Sequence, residues 1–220
     1  MEAVAVFSSP FSEKFGIPRQ SGLAPQLRGE VRLCGKYRNP DALRGLEEFD
    51  YIWLIWGFSA NPEAQEWSPT VRPPRLGGNR RVGVFASRSP FRPNSLGLSA
   101  VKLESVDLEN MVLHVRGADL MDGTPIYDIK PYVPYADAHP GVRAGFVDST
   151  EWEGLEVVFP DELASAFAPE ELDSLKASLA LDPRPRYKED GAEKKYGLTF
   201  AGRNIVFAVS DGVLTVLEVS

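Results

Sequence analysis

The chain of 220 residues holds one cysteine, Cys34, and two histidines, His114 and His139. A lone cysteine closes no internal disulfide, and so few soft ligands leave little from which to build a zinc site, so no metal is expected. A Ser-His-Asp hydrolase would have to use one of the two histidines. His114 alternates within a strand-like run and His139 sits in a polar stretch, so both read as structural or exposed. No Gly-x-Gly-x-x-Gly follows a strand and no Walker-type phosphate loop occurs, which disfavours a conventional nucleotide-binding sheet. The opening Met-Glu-Ala-Val-Ala-Val-Phe lacks a basic start followed by a long apolar run. No uncharged apolar run approaches the ~20 residues of a membrane span, and the expected compartment is the cytoplasm. Basic charge is short overall: 24 Lys and Arg against 31 Asp and Glu give a net charge of −7, so any nucleic-acid contact should be local.

What basic charge there is gathers in residues 69–97. That stretch holds six arginines, Arg72, Arg75, Arg80, Arg81, Arg88 and Arg92, and no acidic residue. Guanidinium forks bind phosphate and carboxylate through paired hydrogen bonds, so the segment suits a polyanionic or carboxylate-bearing ligand. Prolines and glycines punctuate it into shaped loops around one short apolar strand, Val82-Gly83-Val84-Phe85-Ala86. A solvated loop that merely keeps the protein soluble is the plain alternative, although such a loop needs no rigid shape.

Hydrophobic content of 43% with 25% charged residues describes a globular protein with a real core. Strands are expected at residues 3–7, 30–33, 51–58, 98–106, 111–116 and 125–133, with a hairpin turn at 107–110. The run 51–58 is apolar on both faces and reads as a central strand whose tryptophans are core residues. A short helix is expected over 39–49, with Asn39 as its cap and Pro40 at its first position. After a polar linker at 136–150 come a strand at 152–159 and a helical pattern at 160–181 divided by Pro169. Three strands at 196–201, 205–209 and 213–219 close the chain as an antiparallel meander. The fold class is therefore mainly β, a barrel over residues 1–145 followed by a small α+β part over 146–220.

A second constellation runs from Asp119 to Tyr132. It pairs a carboxylate-rich turn, Asp122-Gly123-Thr124-Pro125, with Asp128 on a strand that is otherwise apolar and with the pair Pro131-Tyr132. A carboxylate buried there without a partner would be costly. An ion pair with Lys130, two residues along on the same face, is the structural alternative.

Together these stretches resemble the TsaA-like family, also called TrmO. The resemblance is carried by residues 71–79 (Val-Arg-Pro-Pro-Arg-Leu-Gly-Gly-Asn), 83–97 (Gly-Val-Phe-Ala-Ser-Arg-Ser-Pro-Phe-Arg-Pro-Asn-Ser-Leu-Gly) and 122–132 (Asp-Gly-Thr-Pro-Ile-Tyr-Asp-Ile-Lys-Pro-Tyr). Pro18-Arg19-Gln20 and Arg44-Gly45-Leu46-Glu47 resemble its N-terminal signatures, and Asp182-Pro183-Arg184-Pro185-Arg186-Tyr187 the C-terminal motif of its bacterial members. The resemblance implies an S-adenosylmethionine-dependent methyltransferase that holds its cofactor on a β-barrel and not on a Rossmann sheet. It implies a homodimer, and methylation of N6 on the threonylcarbamoyl-modified adenosine beside the anticodon of threonine tRNA. It places cofactor contacts at Pro18, Arg19, Gln20, Arg88, Leu98, Leu120, Met121, Asp122 and Gly123. Where the bacterial pattern has His-Gln after the apolar strand, this chain has Ser59-Ala60, and those two positions are not carried over.

The residues give that implication a chemistry. An adenine amino nitrogen is a poor nucleophile because its lone pair is shared with the ring, and a carboxylate such as Asp128 can draw it toward tetrahedral geometry. Pro131 and Tyr132 resemble the acidic-Pro-aromatic motif of amino-directed DNA methyltransferases, by analogy alone, with Tyr132 placed against the target base. Arg72, Arg75, Arg80, Arg81 and Arg92 are the candidates for tRNA contact. So are Arg184, Arg186, Tyr187 and Lys188, where Pro183 and Pro185 hold the chain extended and let alternate basic residues project together. A linker pinned by salt bridges is the alternative reading of that segment. A noncatalytic barrel binding RNA or a small effector is the competing function.

Overall fold

The computed structural model describes residues 1–61, 67–73, 76, 80–149, 154–184 and 194–220. Its first part is a closed six-stranded barrel of β1 (Ala5–Ser8), β2 (Arg28–Leu33), β3 (Tyr51–Gly57), β6 (Leu96–Asp107), β7 (Val112–Arg116) and β8 (Pro125–Pro131). The order around the barrel is β1-β2-β7-β6-β3-β8, and every neighbouring pair is antiparallel. Alternation sends Ala5, Phe7, Val31, Ile52, Leu54, Trp56, Val101, Leu113, Val115 and Ile126 inward to one apolar core. A barrel this narrow needs room beside its large rings. Gly97 provides it, since a Cβ there would stand 2.3 Å from the Trp56 ring.

The mainly β class and the barrel expected from the sequence are both present, and several local expectations are refined. The turn over 39–49 is not a continuous helix. Asn39 does cap it, its side chain accepting from the Asp41 N–H at 3.0 Å, but Gly45 at φ +83° splits it into two 3-10 turns, Pro40–Leu43 and Leu46–Glu48. The strand expected over 82–86 stops after β5 (Val82–Gly83), which pairs with β4 (Thr70–Val71). The chain then tightens into the 3-10 turn Val84–Ala86, because the Val84 carbonyl is taken by the Ser87 hydroxyl at 2.9 Å and Arg92 at 3.3 Å. A helical turn, α1 (Pro134–Asp137), runs into the polar linker, which contains a 3-10 turn, Gly145–Val147.

The second part is a sheet of order β10-β11-β12-β9. Strands β10 (Lys195–Phe200), β11 (Arg203–Ser210) and β12 (Val213–Val219) form the expected meander, and β9 (Glu156–Val158) adds a parallel edge. The helices α2 (Asp161–Ala164) and α3 (Pro169–Leu179) are separated where Pro169 predicts, and Glu171 reaches back to the Ala168 N–H. Helix α3 buries Leu175 and Leu179 against Phe200, Phe207, Leu214 and Val216. That second core also takes in Phe11, Ala24 and Leu27 from the loop between β1 and β2, with Phe11 set edge-on to Phe200 at 5.1 Å. No helix among the described residues is long and apolar enough to cross a membrane.

Candidate functional site

Register decides what stands beside what on the outside of the barrel. Strand β3 lies between β6 and β8, with Ile55 opposite both Leu98 and Asp128, and Trp53 opposite both Ala100 and Lys130. Leu98, expected to touch a cofactor, and Asp128, expected to act on a base, thus share one row of the outer face. They are two strand spacings apart, about 9–10 Å. Leu98 is 57% exposed and Tyr51 45%, with Trp53 and Ile55 half-buried between them. The both-faces-apolar reading of residues 51–58 is explained here. One set of residues fills the barrel, and the other forms an open apolar floor outside it. Trp56 belongs to the first set, while Trp53 belongs to the second.

Asp128 itself is exposed, not buried as its apolar strand suggested, because β8 turns that side outward. Its Oδ1 accepts the Ile129 N–H at 2.9 Å, and no ion pair joins it to Lys130 among the described residues. The register slips between Ile55 and Trp56, so that Tyr127 and Asp128 together face Ile55, a bulge of the kind that re-aims side chains. Tyr127 lies over Gly57, where an added Cβ would meet its hydroxyl at 2.7 Å. Pro131 is exposed. Tyr132 packs its ring 5.5 Å from Trp53 and 6.2 Å from Tyr51. Asp128 and Tyr132 lie four residues apart on extended chain, about 13 Å, so they meet different parts of a ligand. Below them Asp137 accepts from the Trp53 indole N–H at 3.0 Å and the Val133 N–H at 2.8 Å. The backbone N–H and the indole hold its carboxyl below the usual range.

The expected cofactor residues divide by what they touch. Arg88 donates to Gln20 Oε1 at 2.5 Å, which ties the arginine segment to the loop holding Pro18. Arg19 turns the other way and donates to the Arg184 carbonyl at 3.1 Å. A cavity of about 140 Å³ lies at that seam, lined by Pro18, Arg19, Leu181, Asp182 and Pro183 among others. Leu120 is buried in the barrel core and can offer a ligand only its backbone. The Asp122 N–H and the Gly123 N–H donate to the Phe11 and Phe7 carbonyls, and Asp122 Oδ1 accepts from Ser9 at 3.0 Å, so this turn is braced on the end of β1. Met121 is half-buried beside it.

Of the arginines expected on tRNA, Arg72, Arg80 and Arg81 are exposed. Arg92 donates to the Ser87 carbonyl at 2.7 Å and so shapes its own loop. Arg184 forks onto Asp182 at 2.8 and 3.0 Å. Arg75, Arg186, Tyr187 and Lys188 lie outside the described residues.

A model of the tRNA-methyltransferase O N-terminal domain matches residues 6–138, and one of the TrmO C-terminal domain matches residues 153–220. The chain belongs to the tRNA-methyltransferase O family. It is 40% identical to the tRNA (adenine(37)-N6)-methyltransferase of Escherichia coli K12, over 96% of this chain and 93% of that one. It is 41% identical to the putative S-adenosylmethionine-dependent methyltransferase RcsF of Pseudomonas aeruginosa, over 89% and 86%. The crystal structure of TrmO from Pseudomonas aeruginosa superposes with a TM-score of 0.79 at 32% identity, covering all of this chain and 96% of that one.

Several residues of this candidate site were not singled out from the sequence. Ile55 and Trp53 form its floor, Tyr127 stands in the bulge, and Ser99 donates to Asp119, the first residue of the second constellation. Only the alternation of the run 51–58 could have pointed to the first two, since cross-strand register is not written in any one segment.

Proposed function

We propose that the protein transfers the methyl group of S-adenosylmethionine to N6 of the adenine beside the anticodon, position 37, of tRNA. The observation that carries this reading is the row Leu98–Ile55–Asp128 on the open face of the barrel; Arg88, which holds Gln20, acts on the Asp119 carboxyl that is bound by Ser99, the residue after Leu98. The residues suit the cofactor. Leu98 gives an apolar face for its adenine, Gln20 an amide for its polar edge, and Arg88 a guanidinium for its carboxylate, while the Asp122–Gly123 turn presents backbone, with open space at Gly123. When bound, S-adenosylmethionine supplies a methyl group on a positively charged sulfur.

Asp128 accepts the hydrogen bond of the N–H at N6 of the target base, the one hydrogen that the threonylcarbamoyl-substituted nitrogen keeps and that the methyl group replaces. That interaction strengthens as the nitrogen gains positive charge, so it favours the transition state over the ground state. The remaining rate comes from alignment of nitrogen, methyl and sulfur on a rigid floor of strands. Tyr132, with Trp53 and Tyr51 behind it, offers an aromatic face that holds the target nucleotide where Asp128 can reach its amino group. Arg72, Arg80 and Arg81, with Arg75, take phosphates, and the part from residue 146 onward adds reach along the tRNA through residues 184–188. The favoured substrate is threonine tRNA whose adenosine carries the threonylcarbamoyl group, whose carboxylate gives one of the clustered arginines a partner. The protein acts as a homodimer in the cytoplasm, a second copy covering Phe85 and Phe91, which are 73% and 56% exposed.

The test is methyl transfer from labelled S-adenosylmethionine to tRNA with and without the threonylcarbamoyl group. Label at N6 of adenine 37, dependent on that group, is the expected result. A noncatalytic RNA-binding barrel would need only the arginine loop, and would bind the tRNA without labelling it.

A further inference from the structure

The carboxyl of Asp119 takes no part in the transfer outlined above, yet three separate segments of the chain converge on it. The Ser99 hydroxyl donates to Asp119 Oδ1 at 2.5 Å, and Ser99 in turn accepts the Trp56 indole N–H at 3.0 Å. The Ser21 backbone N–H and the Arg88 guanidinium stand close enough to act on the same carboxyl, and both favour its charged form. Burial pushes the carboxyl up from its ordinary value of 3.8, while those donors and Arg88 pull in the opposite direction. Asp119 as a residue keeps an exposed edge, but its acid group is sunk beneath the site.

The positions in this network are informative. Ser21 follows Gln20, Ser99 follows Leu98, and Asp119 precedes Leu120, while Arg88 belongs to both sets. Two of the segments expected to touch the cofactor thus bring the residue after the contact, Ser21 or Ser99, to the Asp119 carboxyl, and a third brings Arg88 itself. On β6 the strand pleat enforces this, since Leu98 faces out where Ser99 faces in. A buried acid has to be matched by polar partners, and here they come from β6 and from the two loops that the site needs to hold still.

We propose that Asp119 is a positioning residue of the cofactor site, acting through Arg88 and Ser21 to hold residues 18–21 and 84–92 against the start of β6. The proposal rests on reading Gln20, Arg88 and Leu98 as cofactor contacts. Asn at 119 keeps an acceptor for Ser99 and removes the charge that faces Arg88, so it separates the two roles of the side chain.

Asp119→Asn, Arg88→Gln and the double variant are made in the full chain and titrated with S-adenosylmethionine by calorimetry. Asp119→Asn should weaken binding about 10-fold, the effect of one charge-assisted contact, and raise KM for the cofactor while kcat at saturation changes little. The double variant should bind no more weakly than Arg88→Gln alone. Unchanged affinity in Asp119→Asn, or losses that add in the double variant, would overturn the proposal. Amide exchange in the cofactor-free protein provides a second readout. Exchange at 18–21 and 84–92 should quicken in Asp119→Asn, and equal exchange would reject the positioning role. A parent that binds no S-adenosylmethionine would sink the cofactor reading alone, with the exchange result still judging what Asp119 holds. Ser99→Ala withdraws one donor from the same carboxyl, and serves if Asp119→Asn does not fold.

Discussion

The barrel has two outer faces built on the same pleat, and they are chemically unlike. On β2, β6 and β7, Arg116 pairs with Glu104, Arg28 with Glu104 and Glu170, Arg32 with Glu30, and His114 stands 3.5 Å from Glu30. Charge there is answered by charge, in an exposed lattice where each pair contributes ~0–1 kcal/mol. Around β3 and β8 the outward residues are Tyr51, Trp53, Ile55, Leu98 and Tyr132, with Asp128 among them. Among the described residues no ion pair engages Asp128, Lys130 or Lys102. The contrast teaches where to look for function: a charge in an apolar setting, left without an opposite charge, is available to a ligand.

The strongest way to test the contrast is at Asp128. Asp128→Asn should lower single-turnover methylation by about 10²–10³-fold with cofactor affinity and melting temperature near parental. Parental turnover would make this face as structural as the other. Next comes Tyr132→Ala, which should cost ~1–3 kcal/mol in tRNA affinity if the ring stacks on a base, whereas Tyr132→Phe keeps most of it. Equal losses in the two would point to the hydroxyl.

Neutralising Arg184, Arg186 and Lys188 together should flatten the salt dependence of tRNA binding by roughly one unit of log–log slope for each phosphate no longer neutralised. An unchanged slope with a lowered melting temperature would assign the segment to the Asp182–Arg184 pairing and the link to Arg19. On the latticed face, Glu104→Gln should leave methylation unaltered and cost ~1 kcal/mol or less in denaturant unfolding. A loss of activity there would erase the distinction between the faces.

The smallest effect concerns acid. The Asp137 carboxyl is depressed below 3.8 by the Val133 N–H and the Trp53 indole. The folded state therefore binds fewer protons than the unfolded one between those values, and stability rises with pH across that window. Its contribution is present above 3.8 and lost as the pH falls through the depressed value, so thermal scans from pH 5 to pH 2, about the usual acid range, should show a shallower fall in Asp137→Asn.

Segments with strong local signals were legible in the sequence. The hairpin of β6 and β7, the meander of β10 to β12, the break at Pro169 and the cap at Asn39 all follow from turn residues and alternation. What depended on pairing was not. Nothing local says that Leu98 and Asp128 flank Ile55, because they lie thirty residues apart in sequence and are joined only by register. For the same reason the sequence put Asp128 in a buried strand, when the barrel exposes that side. Asp119 was quoted within its motif, yet its partners come from residues 21, 88 and 99, which only closure of the barrel brings together.

Phe11, Ala24 and Leu27 leave the barrel early in the chain and are buried only by strands that begin at Lys195. The order of synthesis makes this a question of timing. Once residue 131 has left the ribosome the barrel has all its strands, but this apolar patch must wait for the meander, for several seconds at ~5–20 residues per second. The β1–β2 loop that includes Pro18, Arg19 and Gln20 is thus anchored at both ends by residues whose partners arrive last. A chain cut before Lys195 lacks the strands that bury Phe11, Ala24 and Leu27, and so leaves an apolar patch beside that loop. The last strands to be made are what turn a folded barrel into a finished one.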